Sequence, residues 1–343
     1  MKVDMMNIQI VESKQDWETF LQIHPEANFL QSWQWGEFQK ALGKTVIRTG
    51  LYKDGKLAGV FLSVVEPAKR GRYMTVAGGP ILDLSDQQSF EAFVSEVSRI
   101  AKENSCVFVR VRPQLIENEI SKKLFEKAGF KSAPMHLTAD LTSQLDLSQD
   151  EETLLRNMRK NTRYEINKAI KEGIRIEASS DPANIKEFYD LQLETAKRHD
   201  FVPFSYEFLH EQFKAFVQNN SVLLYKAYKD NKLLAEAFII FYGSEATYHY
   251  GASTDEGRNY PGAYLIQWEA IKEAKKRGIS RYNFWGVERL DNPKHRFYGV
   301  SVFKRGFGGQ DVQYLHAQDL VMNPVAYSLN YALETIRRKS RRL

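Results

Sequence analysis

Apolar and polar positions alternate in two parts of the chain, and in each part the alternation is broken by a polar turn. Residues 52–57 read Tyr-Lys-Asp-Gly-Lys-Leu, and residues 228–233 read Tyr-Lys-Asp-Asn-Lys-Leu. Turns of this composition between β-rich runs are typical of tight β-hairpins. The two turns lie 176 residues apart, close to half of the 343-residue chain. The pattern therefore predicts an internal repeat.

The elements around the two turns follow one order. We predict strands at 45–52, 57–65, 73–76 and 107–111 with a helix at 90–102, and strands at 222–228, 233–242, 246–250 and 282–285 with a helix at 262–277. Ser85 and Gln88 have the spacing of a capping box for the first helix, and Gly278 ends the second. Residues 31–35 and 204–208 open an amphipathic helix upstream of each set.

This order resembles the acetyltransferase (GNAT) fold, in which central strands of the sheet splay apart to form a ligand crevice. We therefore predict an α/β (α+β) chain of two tandem GNAT-fold domains, with mixed sheets flanked by helices. The alternative is a pair of unrelated α/β domains that share similar turns. The predicted domains are 1–147 and 148–323, followed by a basic C-terminal helix or tail at 324–343.

The amino-acid composition is that of a globular protein, and it excludes several other classes of protein. Apolar residues make up 43% and aromatic residues 13%, and no apolar run is long enough to span a membrane. The single cysteine, Cys106, excludes an intrachain disulfide and a cysteine-rich metal site. Residues 1–12 have no apolar core typical of a secretory signal, so we expect a cytoplasmic protein. We predict no cofactor, no metal and no stable protein partner.

Positive charge is mild overall, at +5, but unevenly spread. A helix predicted from Ser148 to about Lys171 carries a basic group comprising Arg156, Arg159, Lys160 and Arg163. A phosphate-rich partner would explain this group, and a solvated helix face is the alternative. Five of the last seven residues are also basic, namely Arg337, Arg338, Lys339, Arg341 and Arg342. They could meet nucleic acid or an anionic membrane surface, or form a solubilising helix end.

Neither half is well equipped for coenzyme A. An acetyltransferase holds the pyrophosphate of that cofactor on backbone N–H groups at a helix N-terminus. In the second half the corresponding segment, residues 258–263, contains Pro261, which has no N–H to donate. The first half has residues 78–80, Gly-Gly-Pro, with no basic residue nearby. An acyl donor other than coenzyme A would reconcile the fold with these segments.

The end of the second half combines cations, glycines and aromatic rings. Residues 303–309 read Phe-Lys-Arg-Gly-Phe-Gly-Gly. Glycines permit a close backbone approach, and a lysine among aromatic rings could stabilise an oxyanion or bind phosphate. The alternative is a structural bulge whose cations reach solvent.

Six collinear stretches resemble the Fem family of peptidoglycan-bridge aminoacyltransferases (the FemA, FemB and FemX group). They are residues 29–36, 78–83, 109–113, 250–253, 283–286 and 303–309. The family fold is two acetyltransferase-like domains in one chain. The region 174–204 is too short for an inserted helical hairpin, so the chain is similar to the compact FemX type, without a coiled-coil arm.

The resemblance implies that an amino acid passes from an aminoacyl-tRNA to the side-chain amine of the stem peptide of a peptidoglycan precursor. The precursor would be UDP-linked (UDP-MurNAc-pentapeptide) or lipid-linked, with possible contact to the inner membrane surface. The resemblance implies that Lys304 stabilises negative charge at the reaction centre, that Phe303 shapes the pocket and that Arg305, beside them, contacts substrate. Tyr260 and Tyr264 would line the acceptor cleft, with ordinary helix-start packing as the alternative.

The chain departs from the family pattern where acceptor phosphates are held. Gln39 and Lys40 stand near a family lysine, and Phe204 takes the place of a family arginine, with Arg198 nearby. Arg112 replaces a family aspartate. We therefore expect Lys40, Arg198 and Arg112, together with Trp35, to contact the acceptor. No general base is evident. The alternatives are a coenzyme A-dependent N-acyltransferase and a non-catalytic module that binds RNA or precursor.

Overall fold

A computed structural model describes residues 6–69, 71–199 and 201–341. Met1 and Arg342, which entered the predictions above, lie outside this range. The chain divides into a first unit, formed by Met1–Asp140 with Gln313–Leu343, and a second unit, Leu141–Val312. Among the described residues, no helix combines the length and the apolar character that crossing a membrane requires.

The strands are β1 (Asn7–Ile10), β2 (Thr45–Lys53), β3 (Lys56–Glu66), β4 (Arg72–Ala77), β5 (Ile81–Leu82), β6 (Cys106–Arg112), β7 (Lys131–Ser132), β8 (Leu141–Asp146), β9 (Arg175–Ser179), β10 (Val222–Lys229), β11 (Lys232–Tyr242), β12 (Glu245–Ser253), β13 (Arg281–Gly286), β14 (Gln310–Gln313) and β15 (Gln318–Val321).

The α-helices are α1 (Lys14–Gln22), α2 (Trp33–Ala41), α3 (Gln87–Glu103), α4 (Glu119–Lys127), α5 (Glu151–Asn157), α6 (Lys160–Lys171), α7 (Ile185–His199), α8 (Tyr206–Val217), α9 (Gly262–Lys276), α10 (Tyr298–Arg305) and α11 (Pro324–Arg341).

The predicted repeat is present in the two sheets. The first sheet has the order β1-β2-β3-β4-β6-β15-β7, with β5 beside β3, and the second has the order β14-β8-β13-β12-β11-β10-β9. In each, an antiparallel meander (β2-β3-β4 or β10-β11-β12) is followed by a helix (α3 or α9) and a strand parallel to the last one (β6 or β13). The mixed α/β class and the tandem organisation are confirmed.

The two hairpins match in detail. Asp54 and Gly55 have φ of 51° and 76°, and Asp230 and Asn231 have φ of 49° and 61°, as a two-residue type I′ turn requires. Both hairpins also shift register at the same point, between Leu51 and Tyr52 in one and between Ala227 and Tyr228 in the other. A shared irregularity supports a true duplication more strongly than a shared turn does.

Each core lies between the sheet and its crossover helix. In the first unit, Phe93 and Val97 of α3 are buried together with Val109 of β6. In the second, Ile266 and Ile271 of α9 are buried together with residues of β10 to β13. The apolar residues of each helix recur at helical spacing, which is why both segments were predictable from sequence.

The unit boundaries differ from the predicted 147/148 and 323/324. Residues 141–147 belong to the second unit because β8 pairs with β13. Residues 313–323 return to the first unit because β15 pairs with β6 and β7. Arg110 on β6 makes a two-pronged ion pair with Asp319 on β15, at 2.7 and 2.8 Å, and both side chains are buried. Helix α11 therefore belongs to the first unit and is not a separate tail.

The single helix predicted from Ser148 to Lys171 is two helices, α5 and α6. Met158 between them is extended and buried. The guanidinium of Arg163 donates to the carbonyls of Arg156 and Met158, and so satisfies the end of α5. Arg156 consequently lies in the last turn of α5, where the helix dipole favours a cation.

Two predicted helix caps are also corrected by one or two residues. Helix α3 is capped at Asp86, not Ser85, and Ser89 donates to the Asp86 carboxylate. Helix α5 is capped at Asp150, not Ser148, with the Thr153 N–H as donor. An aspartate inside each predicted segment takes the cap position: the Asp150 carboxylate accepts the Thr153 N–H, and the Asp86 carboxylate accepts the Ser89 hydroxyl.

Candidate active site

The second sheet splays between β12 and β13. The two strands pair in parallel only from Glu245 to Thr247, opposite Arg281 to Asn283. Beyond this point β12 runs on to Ser253 and β13 to Gly286 without a shared ladder. Trp285 near the end of β13 has φ of 62°, a left-handed conformation that bulky residues rarely adopt and that concentrates at functional sites. The splay leaves backbone carbonyls available for a side chain.

Lys304 on α10 occupies that position. Its Nζ donates to the carbonyl of Gly286 at 2.7 Å and lies 5.5 Å from the ring centre of Tyr248 on β12. Burial lowers the pKa of Lys304 to about 7, because an ammonium ion loses hydration there. The side chain can therefore exist in both charge states near neutral pH, which suits it to charge stabilisation or proton transfer.

Aromatic rings pack around the segment that carries Lys304. Phe303 contacts Tyr264 of α9 edge to face at 4.8 Å and Phe307 at 5.3 Å, and Phe307 stacks on Phe284 at 5.0 Å. Burial raises the pKa of Tyr264, and the nearby guanidinium of Arg159 partly opposes this. The predicted residues Phe303, Lys304 and Tyr264 are thus brought together, while Tyr264 also has the packing role of the structural alternative.

The glycines of the 303–309 segment allow close packing against the junction of α5 and α6. A Cβ on Gly306 would lie 2.3 Å from Thr162 Oγ1, and a Cβ on Gly308, which has φ of 89°, would lie 3.1 Å from the Asn157 carbonyl. The Arg159 N–H donates to the Gly306 carbonyl at 2.9 Å. The N-terminus of α6, with the exposed Arg159 and Lys160, is therefore held beside the Lys304 segment.

Arg305, predicted to contact substrate, is bonded within the second unit. Its guanidinium makes a two-pronged contact with the Asp311 carboxylate, at 2.8 and 2.7 Å, and donates to the Glu288 carbonyl at 2.7 Å. These bonds tie α10 to the loop that follows β13. The structure thus gives Arg305 a positioning role, and its predicted substrate contact stays a prediction.

Two other predicted acceptor residues of the second unit lie away from Lys304 in sequence. Tyr260 precedes α9, and Lys229 Nζ lies 4.7 Å from its ring centre. Arg198 on α7 donates to the Ser253 carbonyl at 2.8 Å and pairs with Asp255. Arg198 therefore fixes α7 to the end of β12, and its phosphate contact stays a prediction.

The predicted residues of the first unit have different surroundings. Trp35 on α2 packs edge to face on Phe29 and Phe38, and Lys40 is exposed and paired with Glu37 at 3.2 Å. Arg112 is only 1% exposed: it donates to the Gln114 side chain at 2.6 Å and to the Ala139 carbonyl, and its guanidinium carbon lies 4.6 Å from the ring centre of Tyr314. Its guanidinium faces protein groups, so Arg112 serves the packing of this unit.

Two residues that the sequence analysis did not select contribute to the splayed region, Tyr248 and His249. Gln212 Nε2 lies 2.9 Å from His249 Nε2, so the amide donates and the ring nitrogen accepts. Burial, and then the charge of Lys304, lower the pKa of His249 to about 3, so the ring is neutral at physiological pH. The signal in the sequence was the run Tyr248, His249 and Tyr250, three polar aromatic residues inside a predicted strand.

One group in the first unit has the residue types of a metal site. Asp140 Oδ2 lies 2.6 Å from Nδ1 of both His136 and His316, and His316 Nε2 lies 2.9 Å from the Ala133 carbonyl. Distances of 2.6 Å are those of charged hydrogen bonds. Since a carbonyl only accepts, His316 donates from both nitrogens and is an imidazolium ion. The group is therefore an ion-pair cluster that joins residues 133–140 to residue 316.

Known proteins similar to this chain were found by sequence and by structure. A model described as the FemAB family matches residues 13–225 and 223–335. The Lipid II:glycine glycyltransferase of Staphylococcus haemolyticus (strain JCSC1435) is 22% identical over 405 aligned positions, covering 95% of this chain and 95% of that protein.

Two solved structures agree with the fold described above. The crystal structure of FemX superposes with a TM-score of 0.85 at 18% identity, covering 94% of this chain and 99% of that one. A tandem GNAT protein from the clavulanic acid biosynthesis pathway superposes with a TM-score of 0.59 at 9% identity, covering 92% and 98%. The fold of this chain is therefore a tandem GNAT fold of the compact FemX type.

Proposed function

The chain belongs to the FemAB family and is an acyltransferase, and from this membership we propose that it transfers an amino acid from an aminoacyl-tRNA to a peptidoglycan precursor. The acceptor is the side-chain amine of the stem peptide, on a lipid-linked or UDP-linked precursor. The product is an amide branch of the cross-bridge. We place the reaction in the cytoplasm, at or near the inner membrane surface.

The reaction is attack of an amine on an ester. The amine nitrogen forms a bond to the carbonyl carbon, a tetrahedral intermediate places negative charge on the carbonyl oxygen, and the C–O bond to the tRNA ribose then breaks. The ammonium proton passes to the ribose oxygen through substrate groups or water. Such a step is accelerated mainly by a fixed positive group beside the developing oxyanion.

The position of Lys304 is the main observation that supports the proposal. It is held by the Gly286 carbonyl in the splay of β12 and β13, so its position is set before substrate arrives. Its side chain is buried, which strengthens its interaction with an oxyanion. We propose that the ammonium form stabilises the tetrahedral intermediate and that Phe303 and Tyr264 exclude water from it.

The start of α6 supports the identity of the donor. Arg159 and Lys160 are exposed at a helix N-terminus, where the helix dipole disfavours cations and favours anions. Arg159 also lies beside Tyr264 and, through its N–H, beside Gly306. We propose that this edge binds phosphates near the acylated end of the tRNA. Tyr260, Arg198, Lys40, Trp35 and Arg305 are proposed acceptor contacts.

The test is a direct transfer assay. Purified protein is incubated with charged tRNA and with either a UDP-linked or a lipid-linked precursor, and the products are analysed by mass spectrometry. The proposal expects a mass increase of one amino-acid residue with at least one tRNA. If no charged tRNA gives a product but acetyl-coenzyme A acylates the precursor, the chain is a coenzyme A-dependent enzyme and the proposal is wrong.

A further inference from the structure

Helix α11 has two apolar faces, and the described residues of the protein cover only one of them. The covered face packs on the first sheet, where Tyr327 lies 5.5 Å from the ring of Phe108 and donates to Asp319 Oδ2 at 3.0 Å. Glu334, two turns further along, accepts from Arg110 at 2.9 Å. A buried ion-pair network thus fixes the rotation of α11 about its axis.

The opposite face carries a stripe of exposed aliphatic side chains, the α11 stripe. It consists of Val325, Leu329, Leu333 and Ile336, which are 77%, 64%, 37% and 62% exposed. Spacings of four, four and three residues place them on one side of the helix. At a rise of about 1.5 Å per residue the stripe is roughly 16 Å long. Aliphatic exposure of this extent, ordered along one helix, marks a contact surface.

Positive charge frames the end of the α11 stripe. Arg337 and Lys339 are exposed on either side of Ile336, and Arg338 follows the covered face. Glu334 is the acidic residue of the helix, and it is already paired with Arg110. An apolar stripe flanked by cations fits a surface that is apolar inside and negatively charged outside.

We infer that α11 docks on an anionic lipid surface, with the α11 stripe inserted among the acyl chains and Arg337 and Lys339 at the head groups. Aliphatic side chains add nothing to binding of RNA phosphates, so the stripe argues against a purely electrostatic nucleic-acid contact. This inference deepens the membrane contact of the proposed function and identifies the element responsible. The chain would bind peripherally, as interfacial helices do.

The experiment is flotation of the full chain with vesicles, without donor or acceptor. Vesicles contain phosphatidylcholine alone or mixed with phosphatidylglycerol. The double variant Leu329→Gln, Ile336→Gln disrupts the stripe. The matched control is Ile23→Gln, Ile120→Gln, since these isoleucines lie elsewhere in the same unit and are at least as exposed, at 75% and 82%. A third variant, Arg337→Gln, Lys339→Gln, tests the charge.

The native chain should bind phosphatidylglycerol vesicles about tenfold more tightly than neutral ones. The stripe variant should lose about tenfold in binding, the charge variant should lose the preference for phosphatidylglycerol, and the matched control should bind like the native chain. Circular dichroism melting should be unchanged in all variants because the altered side chains are exposed.

Three outcomes would overturn the inference. They are absence of flotation by the native chain, native-like flotation by the stripe variant, and a stripe variant that instead loses self-association or tRNA retention in the absence of lipid. Transfer to a UDP-linked precursor is measured separately. A chain that floats but transfers nothing contradicts the proposed function alone, and a chain that transfers but does not float contradicts this inference alone.

Discussion

The clearest difference between the two units lies in their equivalent parallel strand pairs, β4 with β6 and β12 with β13. In the second unit, β12 and β13 pair over three positions and then separate, and Lys304 bonds to the Gly286 carbonyl at the end of β13. In the first unit, β4 and β6 remain paired to their ends, where Ala77 lies opposite Arg112 and the Gly78 N–H donates to the Arg112 carbonyl. One copy of the fold is open and the other is closed.

Side chains of the first unit complete that closure. Gln31 donates to the Ala77 carbonyl and accepts from the Leu62 N–H, both at 2.8 Å, and Asn28 donates to the Gly78 carbonyl at 2.7 Å. Gly78 has φ of 69°, and a Cβ there would lie 2.2 Å from Asn28 Oδ1. The motifs of the first half, residues 29–36 and 78–83, therefore maintain a closed sheet. A duplicated fold can thus keep its topology in both copies while only one retains a crevice.

The largest expected effect is on the transfer rate, from a substitution at the splayed strand pair of the second unit. Lys304→Met should reduce transfer by about 10²- to 10³-fold, the usual loss when one oxyanion-stabilising group is removed. Single-turnover transfer from charged tRNA measures this, with Lys276→Met, an exposed lysine of α9, as the control. Retention of more than a tenth of native activity by the folded variant would remove Lys304 from the reaction.

A pH profile sharpens the role of the same residue. Burial lowers the pKa of Lys304 to about 7, so the charged form predominates below pH 7 and is lost above it. The measured rate is first corrected for the change in ionisation of the acceptor amine with pH. If the ammonium stabilises the oxyanion, the corrected transfer rate should then fall about tenfold per pH unit above 7. A transfer rate that rises through this pH range would instead assign Lys304 as a general base. In either case, the Lys304→Met variant should no longer show this pH dependence.

A substitution at the closed strand pair of the first unit should instead lower the stability of the fold. Gln31→Leu removes one donor and one acceptor, leaving the Ala77 carbonyl and the Leu62 N–H without that partner, at a cost of about 2–3 kcal/mol in the free energy of unfolding. Urea denaturation measures the loss. The transfer rate per folded molecule should be unchanged, and a selective loss of rate would show that the first unit takes part in the chemistry at this point.

The smallest effect concerns the ion-pair cluster. Burial alone would lower the pKa of His316, but the bond and the charge of Asp140 outweigh it and raise it. For Asp140, burial is outweighed by bonds from His136 and His316, which lower its pKa to about 2. The contribution of His316 to the stability of the fold is therefore complete at low pH, where the ring is protonated. This contribution is lost as pH rises through its raised pKa. Asp140 loses its effect as pH falls from about 4 towards 2.

His316→Gln should consequently reduce stability by about 1–2 kcal/mol near pH 5 and by less near pH 8. Urea unfolding at both pH values gives the comparison. A variant equally destabilised at pH 5 and pH 8 would show that His316 acts as a neutral donor and not as an imidazolium ion.

Sequence patterns predicted what depends on local signals. Both hairpins and both crossover helices followed from turns and helical spacing, whereas Phe303, Lys304 and Tyr264 were selected through the resemblance to the Fem family. The unit boundary did not, because β15 is only four residues long, carries the buried Asp319, and is held by partners far away in sequence, among them Arg110, which lies 209 positions earlier. The surroundings of Arg112 depend likewise on Ala139 and Tyr314, which no local spacing places beside it.

The return of β15 to the first sheet has a consequence for synthesis of the chain. β6 leaves the ribosome about two hundred residues before the strand that covers its edge, and Arg110 remains without its carboxylate partners throughout that time. The second unit, continuous from 141 to 312, can form all of its sheet first. The half of the protein made first is therefore the half completed last, and a chain interrupted before residue 318 would expose β6 to pairing with other molecules.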